Sequence, residues 1–149
     1  MSEPTPSPAL RRLDVLVGEW RVEPPAQGPP VEGRVWFEWL PGRRFLVQRW
    51  EVKPPEYPSG IAIIGEDAES GELAQHYFDS RGVARVYGMS LDDDGWRLWR
   101  AGSDFAQRFS GTFAAGGDRI DGRWEIARDG STWEHDFDLG YLRTGGRGA

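Results

Sequence analysis

The sequence predicts an all-β fold: an antiparallel meander of about ten strands, closed as a barrel or folded as a sandwich, with a short helix at its start. Three observations carry that expectation. Short segments alternate apolar and polar residues, as in Val35, Phe37 and Trp39 against Arg34 and Glu38, the period of a strand with one buried face. Turn signals such as Pro41-Gly42, Arg81-Gly82, Gly116-Gly117 and Asp129-Gly130 punctuate them, at the spacing of about 8–12 residues typical of barrels and sandwiches. Aromatic residues are plentiful, with 8 Trp, 7 Phe and 4 Tyr beside 20 Gly, which suits half-buried strands joined by tight turns. Closure into a barrel removes the edges that such strands would otherwise offer for aggregation.

The elements follow in order. Residues 1–7 are polar and Pro-rich and are expected to be disordered, since they have nothing to bury. The single barrel domain spans residues 8–143. It opens with a helix over Pro8 to Val17, in which Leu10, Leu13, Leu16 and Val17 share a face and Pro8 is tolerated in the first turn. Gly18 ends it. Trp20 starts the first strand, and Pro24 to Pro30 forms a loop. In Val31 to Leu40, Val31, Val35, Phe37 and Trp39 point one way, while Trp36 lies on the outer face. In Arg44 to Lys53 the set Leu46, Gln48, Trp50 and Val52 faces inward. Ile61 to Glu66, Leu73 to Ser80, Ala84 to Leu91 and Gly95 to Ala101 form a run of hairpins. Phe105, Gln107, Phe109, Gly111 and Phe113 share a face in the next strand, as do Ile120, Gly122, Trp124 and Ile126 in the one after. The last strand places Trp133, His135, Phe137, Leu139 and Tyr141 inward, against Glu134, Asp136 and Asp138. Residues 144–149 are a flexible Gly-rich tail.

Bulk properties narrow the function. A net charge of −6 disfavours nucleic acid, whose recognition leans on a basic face. Lys53 is the only lysine among the 18 basic residues, so the cations are suited to bidentate pairing and ring stacking. With no Cys, disulfides, thiolate metal sites and a Cys nucleophile are excluded. No segment has the length and apolarity of a signal peptide or a bilayer span, and the expected location is cytoplasmic, with no membrane partner.

Gly18-Glu19-Trp20 after a short helix resembles the Gly-x-Trp entry of lipocalin-like barrels. There the Trp packs under the barrel floor, and an Arg from the end of the last strand covers its ring. The resemblance casts Trp20 and Arg143 in those closure roles, joined by a cation–π contact worth roughly 0.5–2 kcal/mol. Phe37-Glu38-Trp39, Arg44-Phe45-Leu46, His76-Tyr77-Phe78-Asp79-Ser80, Gln107 to Phe113, Gly122-Arg123-Trp124-Glu125 and Trp133 to Leu139 are similar to a bacterial family of functionally uncharacterised lipocalin-like (calycin-type) proteins. That family is distantly similar to nitrobindin-type haem barrels. The resemblance implies the fold and assigns no reaction.

The candidate site residues are inward polar and aromatic side chains. Gln48, Gln107 and His135 stand on apolar faces, as placed polar groups do in small-molecule pockets. With Trp39, Phe109, Trp124 and Tyr141 they form the expected lining for a small hydrophobic or aromatic molecule. The alternative for His135 is a neutral core histidine bonded to a neighbour such as Gln107. The nitrobindin likeness offers another, an axial haem ligand, with haem then the only cofactor. His76 points in a direction the pattern leaves open, and two histidines fall short of a zinc set. Glu134, Asp136 and Asp138 alternate outward, so no desolvated acid–base pair emerges, and no catalytic residue is assigned. The readings are therefore a binding barrel, a haem barrel with His135 as ligand, an enzyme acting on a small molecule in the barrel mouth, and a protein that docks a partner, including a second copy of itself, through exterior Trp36 and Trp99.

Overall fold

The computed structural model describes residues 7–23, 31–102 and 105–145. The expectations for residues 1–6, the 24–30 loop and residues 146–149 lie outside them. Ten strands run β1 Gly18–Glu23, β2 Glu32–Trp39, β3 Phe45–Lys53, β4 Gly60–Glu66, β5 Leu73–Asp79, β6 Ala84–Asp92, β7 Gly95–Arg100, β8 Ala106–Phe113, β9 Arg119–Ala127 and β10 Glu134–Gly145. Each pairs antiparallel with the next, and β10 returns to β1 to close the barrel. The last strand runs two residues beyond the expected Arg143 because its end still pairs with Glu19 of β1.

The helix is shorter than its pattern suggests. α1 covers Pro8–Arg12, and Leu13–Leu16 continues as a 3₁₀ turn. Five helical residues are too few to be stable alone. Ser7, expected within the disordered end, instead caps α1 by accepting from the Leu10 N–H, and its hydroxyl donates to Glu66 at 2.6 Å. Leu10, Leu13 and Leu16 are buried, in one core with Trp20, Leu46, Ile64, Leu91 and Trp96. The segment therefore lies across one end of the barrel as a plug. Trp39 Nε1 donates to Asp14 at 2.7 Å and holds the plug to the end of β2.

The first and last strands lock this end. Arg143 Cζ sits 4.2 Å from the centroid of the Trp20 ring. Its Nη1 donates to the Val17 carbonyl at 2.6 Å and its Nη2 to the Val15 carbonyl at 2.7 Å. Trp20 Nε1 donates to the Leu16 carbonyl at 2.8 Å. Carbonyls that a 3₁₀ turn leaves without intrahelical partners are thus satisfied by strand side chains.

Above the plug the lumen is filled by rings in contact. Trp96 meets Phe37 at 6.1 Å and Phe109 at 4.9 Å between centroids, and Phe109 meets Trp124 at 5.2 Å. Most of these pairs are edge-on or tilted, the favoured geometry. Gly122 takes an inward position because a Cβ there would lie 2.5 Å from the Phe109 ring. A side chain would displace the ring at the centre of the barrel.

One expectation is overturned in β10. His135 pairs with Glu125 of β9, and Phe137 pairs with Trp124, the next residue back, so Asp136 is an extra residue with no partner. This is a β-bulge. Because side chains alternate with a period of two, one inserted residue reverses every face on its N-terminal side. Phe137, Leu139 and Tyr141 keep the inward face, and Trp124 stacks with Phe137 at 6.4 Å. His135 turns to the outer face, exposed, with Nε2 2.9 Å from Asp138 Oδ1.

Candidate site at the open end of the barrel

Opposite the plug, the chain reverses at the 80–83 turn and at the links before β2, β4, β8 and β10. Register stacks the inward residues of this end in rows. Gln48, Ala62, Tyr77 and Arg85 oppose one another across β3, β4, β5 and β6. One row closer to the plug stand Leu46, Ile64, Gln75 and Tyr87. Trp50 stacks on Tyr77 at 5.3 Å, and Tyr87 meets both Tyr77 and Trp124 at 6.0 Å. The result is a wall of rings with polar groups set into it.

The polar groups divide into satisfied and unsatisfied ones. Gln107 Oε1 accepts from the Tyr87 hydroxyl at 2.7 Å and from Arg85 Nη1 at 3.2 Å. The Tyr77 hydroxyl donates to Asp79 at 2.6 Å. Burial and that carboxylate both push the Tyr77 phenol up, so it stays protonated. Burial would raise the Asp79 carboxyl too, but hydrogen bonds from the Arg81 guanidinium, the Tyr77 hydroxyl and the Arg81 and Val83 N–H groups outweigh it and hold it well below the usual carboxylate range. By contrast, Gln48 and Gln75 are 7% and 4% exposed, and among the described residues the Oε1 atom of each has no hydrogen-bond partner. Trp96 Nε1, deeper in the lumen, also lacks one. Most buried polar atoms in folded proteins are paired, so these three call for an explanation.

The expected lining residues are partly reassembled. Gln48, Gln107, Phe109 and Trp124 face the lumen. Tyr141 faces it as well, but lies in its packed part beside Trp96, where burial pushes its phenol up. Trp39 has the inward face but the wrong end: it is bonded to the plug, under the Arg43 guanidinium. His135 lies outside the lumen for the reason given above. His76, between Ile63 and Val86, is likewise on the exposed outer face. Neither histidine presents a nitrogen to the lumen, so the residues present do not fit histidine-ligated haem inside this barrel. The sequence reading missed Gln75, Trp50, Tyr77, Arg85 and Arg100. Their signal was present as alternation: Gln75 stands between Leu73 and Tyr77, and Arg85 leads Tyr87, Met89 and Leu91 on one face.

Two clefts open at the surface. One of about 500 Å³ runs over β8–β10, with Ser110, Arg119, Arg123 and Asp138 among its walls. Arg119 there is paired with Glu23 at 2.8 Å and Asp121 at 2.9 Å. The other, about 340 Å³, lies beside Phe78, Ala84, Arg85 and Arg100. It sits where β6 and β7 part: their ladder begins at Gly88 opposite Trp99, leaving the preceding residues of β6 off it.

No family model matches the chain, and no curated protein matches it. Among solved structures it is similar to the crystal structure of Rv2717c from M. tuberculosis, at 15% identity and a TM-score of 0.62, over 95% of this chain and all of that one. At that identity the likeness supports the barrel fold alone. No helix among the described residues is long and apolar enough to cross a membrane.

Proposed function

We propose that this barrel binds a small, largely aromatic or hydrophobic molecule through its open end, as lipocalin-like barrels do. The observation that carries the reading is the pair of buried amides. Gln48 and Gln75 stand on β3 and β5 on either side of β4, one row apart, opposite Ala62 and Ile64 respectively, and among the described residues each keeps an acceptor oxygen unmatched. An unmatched buried carbonyl costs about 1–3 kcal/mol. A ligand N–H or O–H repays that cost, while Trp50, Tyr77, Tyr87 and Trp124 provide flat apolar surface for its body.

N-phenyl-1-naphthylamine, a neutral aromatic dye with one N–H, is a suitable probe. Its fluorescence is expected to rise saturably at one dye per barrel, with quenching of tryptophan emission. Gln48→Leu with Gln75→Leu is expected to weaken binding about tenfold, the loss of roughly 1.4 kcal/mol. A linear, non-saturating signal, or equal affinity in the double variant, would remove the reading. Native mass spectrometry of the freshly purified protein adds the identity of any retained molecule.

A further inference from the structure

The open end also carries charge. Arg85 and Arg100 occupy inward positions: Arg85 opposes Tyr77, and Arg100 opposes Gln107. Both are half-buried. Both guanidiniums lie against the Phe105 ring, at 5.3 and 5.7 Å from its centroid. Arg85 donates to Gln107, and Arg100 Nη1 donates to the Phe105 carbonyl at 3.1 Å. These acceptors are neutral. Among the described residues neither arginine is in ion-pair contact with a carboxylate, whereas Arg43, Arg81, Arg108, Arg119 and Arg143 all are. Of the acids at this end of the barrel, Asp79 is already paired with Arg81, Asp129 accepts from the Ser131 and Thr132 N–H groups, and Glu134, turned to the inner face by the bulge, is exposed opposite Ile126.

A guanidinium drawn partly out of water gains most from an anion, and its planar fork suits a carboxylate, sulfonate or phosphate. In a chain of net charge −6, two such cations on the inner wall are a local reversal of the overall charge, and low-dielectric walls focus their field. Resting on the binding reading above, we infer that the ligand is an amphipathic organic anion. Its apolar body lies among Trp50, Tyr77 and Trp124. Its anionic group meets Arg85 and Arg100 beside Phe105, at the parting of β6 and β7.

A matched dye pair tests this separately from the binding reading. 8-Anilino-1-naphthalenesulfonate differs from N-phenyl-1-naphthylamine by one sulfonate. At low salt the anionic dye is expected to bind about tenfold more tightly, and Arg85→Gln with Arg100→Gln is expected to erase that margin while the neutral dye keeps its affinity. Retained neutral-dye binding also shows that the double variant is folded. Arg85→Lys, which keeps the charge, is expected to preserve part of the margin. If the wild-type protein binds both dyes equally, or the double variant keeps the preference, the anion proposal falls and the binding reading stands. If neither dye binds, both fall.

Discussion

The two ends of the barrel solve the same problem in opposite ways. At the plugged end the polar groups described are answered from within the chain, the buried Trp96 Nε1 excepted. Trp20 and Arg143 take the carbonyls of the 3₁₀ turn, Asp14 takes Trp39, and Glu66 takes Ser7. At the open end the rings continue, but among the described residues two amide oxygens have no partner and two guanidiniums have no carboxylate. Self-sufficiency marks the end that holds the fold together. Unmet hydrogen-bonding and charge capacity mark the end where something else can add to it.

Trp20→Ala should have the largest effect on that contrast. It removes a fully buried ring, its hydrogen bond and the partner of Arg143, and is expected to cost about 3–5 kcal/mol. Urea denaturation measures it. A loss under 1 kcal/mol would mean that the plug does not carry the fold. Arg143→Met comes next, at about 2–3 kcal/mol, because two charge-assisted bonds to half-buried carbonyls, the Asp118 ion pair and the ring contact go together. Comparison with Arg143→Lys sharpens it: a lysine keeps the charge but cannot reach both carbonyls and cover the ring, so most of the loss should remain.

Gln48→Leu is expected to act in the other direction. The leucine is close in volume and removes an unmatched acceptor, so stability should rise by about 1 kcal/mol while dye affinity falls. Such opposite signs are characteristic of a binding site maintained at a cost to the fold. A variant that is destabilised would show that the amide is bonded in solution, and would remove the main support for a ligand site.

The fold was legible because its signals are local and repeated. Alternation in Val35–Trp39 and Phe105–Phe113, together with glycine turns, fixes the strands and their inward faces, and antiparallel hairpins follow from short links. The helix was misjudged in length because its leucine spacing also fits a 3₁₀ turn, and packing against Trp20 decided between them. His135 was misplaced because a bulge is a property of two strands. Nothing within Trp133–Tyr141 announces that Asp136 will lack a partner, and the flip is visible only in the register with Glu125 and Trp124. The arginines escaped notice because an Arg on an inward face is distinguished from a solvated one only by which carboxylates fold near it.

The smallest expected effect concerns acid. The Asp79 side chain is shielded from solvent at the end of β5, held by Arg81, Tyr77 and Val83, and its folded pKa is depressed below the unfolded value of about 3.9. A depressed carboxylate contributes stability at pH values above its unfolded pKa and loses it as pH falls through the folded one. Wild-type urea midpoints should therefore be flat from pH 6 to about pH 4 and decline below it. In Asp79→Asn the midpoint should be lower at pH 6, and its gap from wild type should close as the pH drops. The decline will not vanish, because Asp129, held at about 2 by the Thr132 and Ser131 N–H groups, adds a similar limb from the turn between β9 and β10. A gap that stays constant down to pH 2 would show that Asp79 acts through neutral hydrogen bonds alone, and that the open end gains nothing from the charge it buries there.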